Sequence, residues 1–167
     1  IDWRDDVLFL IDKVTSGSIT LIGSSMGGWL MLLVALSRPM RVKNLVGIAA
    51  APDFTDWGFT QDQKMTILRE GKLEEESEYS EEPYVTTRTF WQSSDGARLL
   101  HKEIAFDGAV RLLHGQKDSD VPWAYSLEIA KKIRSDDVQV HLVKDGDHRL
   151  SRDQDIGLLI DILSRLG

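Results

Sequence analysis

Apolar residues recur at Val7, Leu8, Leu10, Ile11 and Val14. This spacing makes one helical stripe over Ile1 to Val14, broken by Ser16-Gly17-Ser18. Ile19-Thr20-Leu21-Ile22 then predicts a short buried strand ending at Gly23. From Met26 to Ser37 the residues are apolar on every side, the pattern of a buried helix, and Arg38-Pro39 ends it. Leu45 to Ala50 is a second continuous apolar run, as in strands of a parallel sheet covered by helices.

The pattern changes from Pro52 to about Phe106, where the chain is polar, acidic and aromatic. Gln61 to Glu70 and Tyr84 to Trp91 predict amphipathic helices there, and Glu70 to Glu82 holds seven Glu against one Lys. Such a run is expected to be a solvated face. Alternation resumes with a strand at Val110 to His114 and a helix from Pro122 to Ile133. A strand at Val138 to Val143 and a closing helix from Asp153 to Leu166 follow. The expected fold is a single α/β domain over 1–167, a parallel sheet flanked by helices, with a small helical lid inserted at 52–106.

Composition narrows the function classes. The 167 residues carry a net charge of −7 and no cysteine. An acidic chain is a poor match for a phosphate backbone, so nucleic acid is not an expected partner. Lack of cysteine removes disulfides, thiolate metal sites and a thiol nucleophile. The longest apolar run, Trp29 to Leu36, is far short of the roughly 20 residues that span a bilayer. The polar start at Trp3-Arg4-Asp5-Asp6 does not resemble a signal peptide. The cytoplasm is the expected compartment, with the mitochondrial matrix as the eukaryotic alternative.

The sharpest chemical signal is Gly23-Ser24-Ser25-Met26-Gly27-Gly28, a G-x-S-x-G motif between a strand and a helix. The reversal from strand to helix forces Ser25 into a strained conformation and holds its hydroxyl proud of the sheet. Gly23 and Gly27 are expected to admit neighbouring backbone to the turn. The Met26 N–H, at the positive end of the helix, is a candidate oxyanion donor. A serine hydroxyl needs a general base. Of the four histidines, His148 follows the last strand in a Gly146 loop, where open α/β sheets build their sites. His114 reads as structural, and His101 and His141 have no comparable loop context. Asp118, after the Val110–His114 strand, is the expected carboxylate partner of His148, with Asp120 as rival and Asp147 too close to fold back. The order Ser25, Asp118, His148 is that of α/β-hydrolases.

With these residues the chain resembles the α/β-hydrolases. More narrowly, it resembles bacterial esterases related to the mitochondrial palmitoyl-protein thioesterase that cleaves mycophenolic acid acyl-glucuronide. The similarity lies in Gly23 to Leu32, Arg111-Leu112-Leu113-His114-Gly115, Asp118, Val121-Pro122-Trp123, Asp147-His148-Arg149 and Tyr79-Ser80-Glu81-Glu82. The pattern His-Gly-x-x-Asp-x-x-Val-Pro favours Asp118 over Asp120. The resemblance implies a serine esterase or thioesterase with no metal or organic cofactor, acting on a small-molecule acyl substrate. It also implies strands before the elbow that this chain lacks, and hence a longer polypeptide. A binding scaffold without catalysis and a prolyl-oligopeptidase-type peptidase are the alternatives. Trp57, Phe59, Phe90 and Trp91 of the insertion are candidates to line an acyl pocket. The sequence leaves the oligomeric state open.

Overall fold

The computed structural model describes residues 2–76 and 81–166. Tyr79 and Ser80, part of the stretch that carries the resemblance, lie outside the described residues. Contacts divide the chain into two compact units, Asp53–Arg98 and a larger one of Asp2–Pro52 with Leu99–Gly167.

The larger unit is built from helix α1 (Asp2–Val14), strand β1 (Ile19–Ser24), helix α2 (Met26–Ser37) and strand β2 (Val42–Ile48). After the inserted unit come β5 (Ala109–Gly115), α6 (Ala124–Lys132), β6 (Val138–Val143) and α7 (Asp153–Ser164). The inserted unit holds α3 (Phe54–Trp57), α4 (Gln61–Glu70), β3 (Lys72–Glu75), β4 (Tyr84–Thr87) and α5 (Arg88–Asp95). The main sheet has the order β1-β2-β5-β6 and every pair in it is parallel. Parallel strands need crossovers, and the helices α2 and α6 close two of them.

Helix α2 packs on β1 and β2 as its all-round apolar pattern predicts, with Leu32 and Val34 fully buried. Each such side chain contributes roughly 1.5–3 kcal/mol relative to exposure. A second cluster joins Val46, Leu113, Leu150, Ile162 and Leu166, and it docks α7 beneath β2 and β5. The Asn44 amide donates to the Thr20 hydroxyl at 3.1 Å and to the Leu166 carbonyl at 3.1 Å, so this buried polar side chain of β2 is satisfied.

Two expectations change. Strand β1 is not buried on both faces: it alternates, and Ile22 is 51% exposed. Among the described residues β1 has one neighbour, β2, and lies at the edge of the sheet. Tyr84 to Trp91 is not one helix. Tyr84–Thr87 pairs antiparallel with Lys72–Glu75, and the helix starts only at Arg88. The Thr87 hydroxyl accepts from the Phe90 N–H at 3.2 Å, a side-chain cap that fixes the boundary. Part of the acidic run lies in the small hairpin, where Lys72 pairs with Glu74 and Gln63 donates to Glu75.

Candidate active site

The site is assembled from three strand-to-helix connections of the larger unit. The first is the β1–α2 turn. Ser25 sits there at φ 53 and ψ −124, a conformation that non-glycine residues rarely adopt and that costs of order 1–3 kcal/mol. The turn is tied down on both sides. Ser25 N–H donates to the Ile48 carbonyl at 2.9 Å, and its own carbonyl accepts from Gly28 and Ala51. A Cβ on Gly23 would lie 2.3 Å from the Gly27 carbonyl oxygen, and one on Gly28 would lie 2.4 Å from the Ala50 Cβ. Gly27 differs from expectation: a Cβ there would meet nothing within 4 Å. The glycines that close approach demands are therefore Gly23 and Gly28. The Met26 N–H opens α2, has no intrahelical acceptor and carries the positive end of the helix dipole.

The second connection follows β5. Asp118 Oδ1 accepts from the backbone N–H of Asp120 and of Val121, both at 2.9 Å. The Asp118 side chain is fully buried. The third connection follows β6. A Cβ on Gly115 would lie 2.3 Å from the Gly146 oxygen and 2.4 Å from the Asp147 oxygen, so the second and third connections touch backbone to backbone. Asp147 Oδ1 accepts from the N–H groups of Arg149 and Leu150, which bends the chain around His148. Arg152 clamps the far end through bonds to Asp145 and to the buried Asp155.

His148 stands between the other two. Its Nδ1 is 2.8 Å from Asp118 Oδ2 and its Nε2 is 3.2 Å from Ser25 Oγ. Asp120 Oδ2 lies 3.9 Å from His148 Nε2 and is partly exposed, so it faces the serine side of the ring. The hydrogen bond to Asp118 holds the His148 pKa above the ordinary histidine value; burial opposes this, and the charges of Asp118, Asp120 and Asp147 add to it. Burial pushes the Asp118 carboxyl up, but the hydrogen bonds from His114, His148, Val121 and Asp120 outweigh it and hold the group well below the usual carboxylate range.

His114 is the residue that sequence reading set aside as merely structural. It is fully buried, with Nε2 3.1 Å from Asp118 Oδ2 and 3.0 Å from the Val121 carbonyl oxygen. Its Nδ1 is 2.8 Å from the buried Ser126 hydroxyl. His101 is exposed, and His141 on β6 has a buried Nε2 with no hydrogen-bond partner. Neither makes a hydrogen bond to Ser25, His148 or Asp118.

The four aromatic residues proposed for an acyl pocket all belong to the inserted unit. Phe54 has its ring 6.2 Å from that of Phe59 and 6.1 Å from that of Phe90. The Trp91 indole donates to the Thr55 carbonyl at 2.9 Å, and Trp57 ends α3. Trp91 also lines an open cavity of about 360 Å³ with Thr55, Gln92, Asp95 and Arg98. Among the described residues no cluster of His, Asp or Glu is arranged to hold a metal ion.

A parallel sheet with an elbow serine, a carboxylate after β5 and a histidine after β6 defines a class, and the chain belongs to it: it is an α/β-hydrolase, matching the prolyl oligopeptidase family model over residues 10–160. It is 40% identical to human palmitoyl-protein thioesterase ABHD10, mitochondrial, over 98% of this chain and 56% of that protein. The mouse counterpart is 42% identical over 98% of this chain and 58% of its own length. This chain thus spans a little over half the length of those relatives. Among solved structures, the mouse alpha/beta hydrolase domain-containing protein 10 superposes with a TM-score of 0.88 at 40% identity, over 99% of this chain and 69% of that one. A putative hydrolase from Agrobacterium vitis superposes with a TM-score of 0.91 at 34% identity, over 98% and 67%.

Proposed function

We propose that this chain carries the catalytic centre of a serine hydrolase that cleaves acyl thioesters and carboxylic esters through an acyl-enzyme. The observation that carries the reading is the unbroken line of hydrogen-bond distances from Asp118 through His148 to Ser25. Ser25 Oγ attacks the acyl carbonyl while His148 Nε2 takes its proton. The Met26 N–H stabilises the oxyanion of the tetrahedral intermediate. His148 then gives the proton to the departing thiolate or alkoxide. A water, deprotonated by His148, attacks the acyl-Ser25 ester and frees the acid. Asp118 keeps the imidazole in the Nδ1–H form and stabilises its cation. The thioesterase names of the relatives support the thioester branch. They also carry a mitochondrial address, which supports a matrix location for a eukaryotic source and leaves the cytoplasm for any other. Among the described residues no helix is long and apolar enough to cross a membrane.

The test is turnover of a palmitoyl thioester, the matching carboxylic ester and a proline-containing peptide. Thioester or ester hydrolysis with a burst of leaving group is the expected result. The prolyl oligopeptidase match favours a second reading, amide cleavage, and faster turnover of the peptide would decide for it. No turnover of any of the three would return the chain to a binding scaffold.

The pH dependence has a definite sign. The base must be neutral, and its pKa is raised by Asp118. Activity is therefore expected to rise with pH through a midpoint above the ordinary histidine value of about 6.5. A rate flat between about pH 5 and 8, with chemistry limiting, would remove His148 as base. The same raised pKa means that the charged His148–Asp118 pair adds stability below the unfolded histidine pKa, and that this part is lost as pH rises through the folded value.

The reading extends to the inserted unit as the source of acyl selectivity, through Trp57, Phe59, Phe90 and Trp91. In a series of esters of increasing acyl length, Trp91→Ala is expected to lose the preference for long chains while short-chain turnover stays near wild type. An unchanged chain-length profile would take Trp91 out of the pocket and leave it as part of the unit's own core.

A further inference from the structure

We propose that His114, oriented by Ser126, is a positioning residue that locks Asp118 for the hydrolytic reaction. The inference rests on the reading of Ser25, His148 and Asp118 given above. Its starting point is an atom count. Two acceptors face His114 Nε2, Asp118 Oδ2 at 3.1 Å and the Val121 carbonyl at 3.0 Å. That nitrogen must therefore carry hydrogen and share it between them. In the neutral ring Nδ1 is then the acceptor, and the Ser126 hydroxyl, 2.8 Å away, is its donor. The ring is fully buried, so the other tautomer would set a ring lone pair against two acceptors, and a flip would set the Cε1–H there, with no water to help.

The consequence for Asp118 is that both oxygens are filled. Oδ1 takes the two backbone N–H groups of Asp120 and Val121, and Oδ2 takes His148 Nδ1–H and His114 Nε2–H. The two histidines hold opposite tautomers on one oxygen. His114 therefore does two things. It fixes the plane of the carboxylate, and it takes a share of the Oδ2 charge that His148 would otherwise have alone. Ser126 belongs to α6, so the device ties the site to the helix that covers the β5–β6 crossover. The charged groups facing His148 are Asp118, Asp120 and Asp147, and His114 alters only the first.

The test compares the pH profile of kcat/KM in wild type, His114→Leu and His114→Gln, with circular dichroism on each and Ser25→Ala as the control. Gln offers an N–H near the place of Nε2; Leu offers none. In His114→Leu the Asp118 Oδ1 tether remains, Oδ2 is left to His148 alone, and the imidazole becomes more basic. The expected result is kcat lower by about tenfold with KM little changed, and the rising limb moved to higher pH. His114→Gln is expected to restore both. A folded His114→Leu whose limb stays in place or moves down overturns the inference. Should His114→Leu not fold, nitrogen-15 NMR of the wild-type imidazoles decides: Nε2–H for His114 beside Nδ1–H for His148 supports the proposal, and Nδ1–H alone on His114 overturns it. Activity retained in Ser25→Ala would sink the underlying reading instead. Full loss there, with no pH shift in His114→Leu, would sink the positioning role alone.

Discussion

Ser25→Ala is expected to lower thioester or ester turnover by about ten-thousandfold or more, because it removes the hydroxyl that His148 Nε2 reaches at 3.2 Å. Ser24→Ala, one residue earlier at the exposed end of β1, is expected to cost less than about tenfold, since its side chain takes no part in the relay. The backbone adds a second readout. Alanine at position 25 keeps the strain of φ 53 and ψ −124, whereas glycine adopts it freely. Ser25→Gly is therefore expected to be as inactive as Ser25→Ala but more stable in urea, by about 1 kcal/mol. Equal activity losses at Ser24 and Ser25 would contradict the assignment. Equal stability of the two Ser25 variants would contradict the strain.

Gly115→Ala is expected to have a large effect although the residue lies outside the relay. Its Cβ would stand 2.3 Å from the Gly146 oxygen and 2.4 Å from the Asp147 oxygen, and both neighbours are backbone that cannot rotate away. The loop carrying His148 must move, while Asp118, three residues further along, stays tied to Asp120 and Val121. Overpacking of this kind costs about 1–3 kcal/mol. Displacement of His148 by about an ångström is expected to lower turnover about a hundredfold. Gly27→Ala is the matched control: its Cβ meets nothing, the residue lies in a helix, and stability is expected to hold or to rise by up to about 1 kcal/mol. Melting curves and initial rates on both variants check the pair. A Gly115→Ala protein as active as Gly27→Ala would show that the contact between the two connections has slack.

Much of this architecture is legible in the pattern of apolar positions. The limits of α2, α4 and β6 coincide with those read from periodicity, because each is bounded by its own local signal: the elbow glycines, the Thr60 cap with Gly71, and the polar residues flanking Val138–Val143. The elbow is legible too, since a serine between a buried strand and a buried helix has few other uses. What fails is what depends on neighbours. Strand β1 reads as wholly buried from composition alone, yet its residues alternate between more and less exposed, so one face of the strand is less covered than the other. Tyr84 to Trp91 carries a helical apolar period, and nothing local reveals that its first four residues pair with Lys72–Glu75. Gly27 closes the motif and Gly28 only follows it, yet the position of Ala50 makes Gly28 the one where a side chain would not fit.

His114 is the clearest case. A histidine before a glycine at the end of a strand looks structural, and its role comes from Ser126, twelve residues later, and from a carboxylate oxygen it shares with His148. No spacing rule joins those three. The arrangement emerges only when β5 delivers His114 and Asp118 to the same side of a loop and α6 returns Ser126 over it.

The central claim is that Ser25 is a nucleophile activated by His148. The most direct measurement is labelling with a fluorophosphonate probe at neutral pH, followed by peptide mapping. A single adduct on Ser25, abolished by Ser25→Ala and slowed sharply by His148→Ala, is the predicted result. No adduct on folded protein, an adduct on another serine, or labelling of Ser25 that is indifferent to His148 would contradict it.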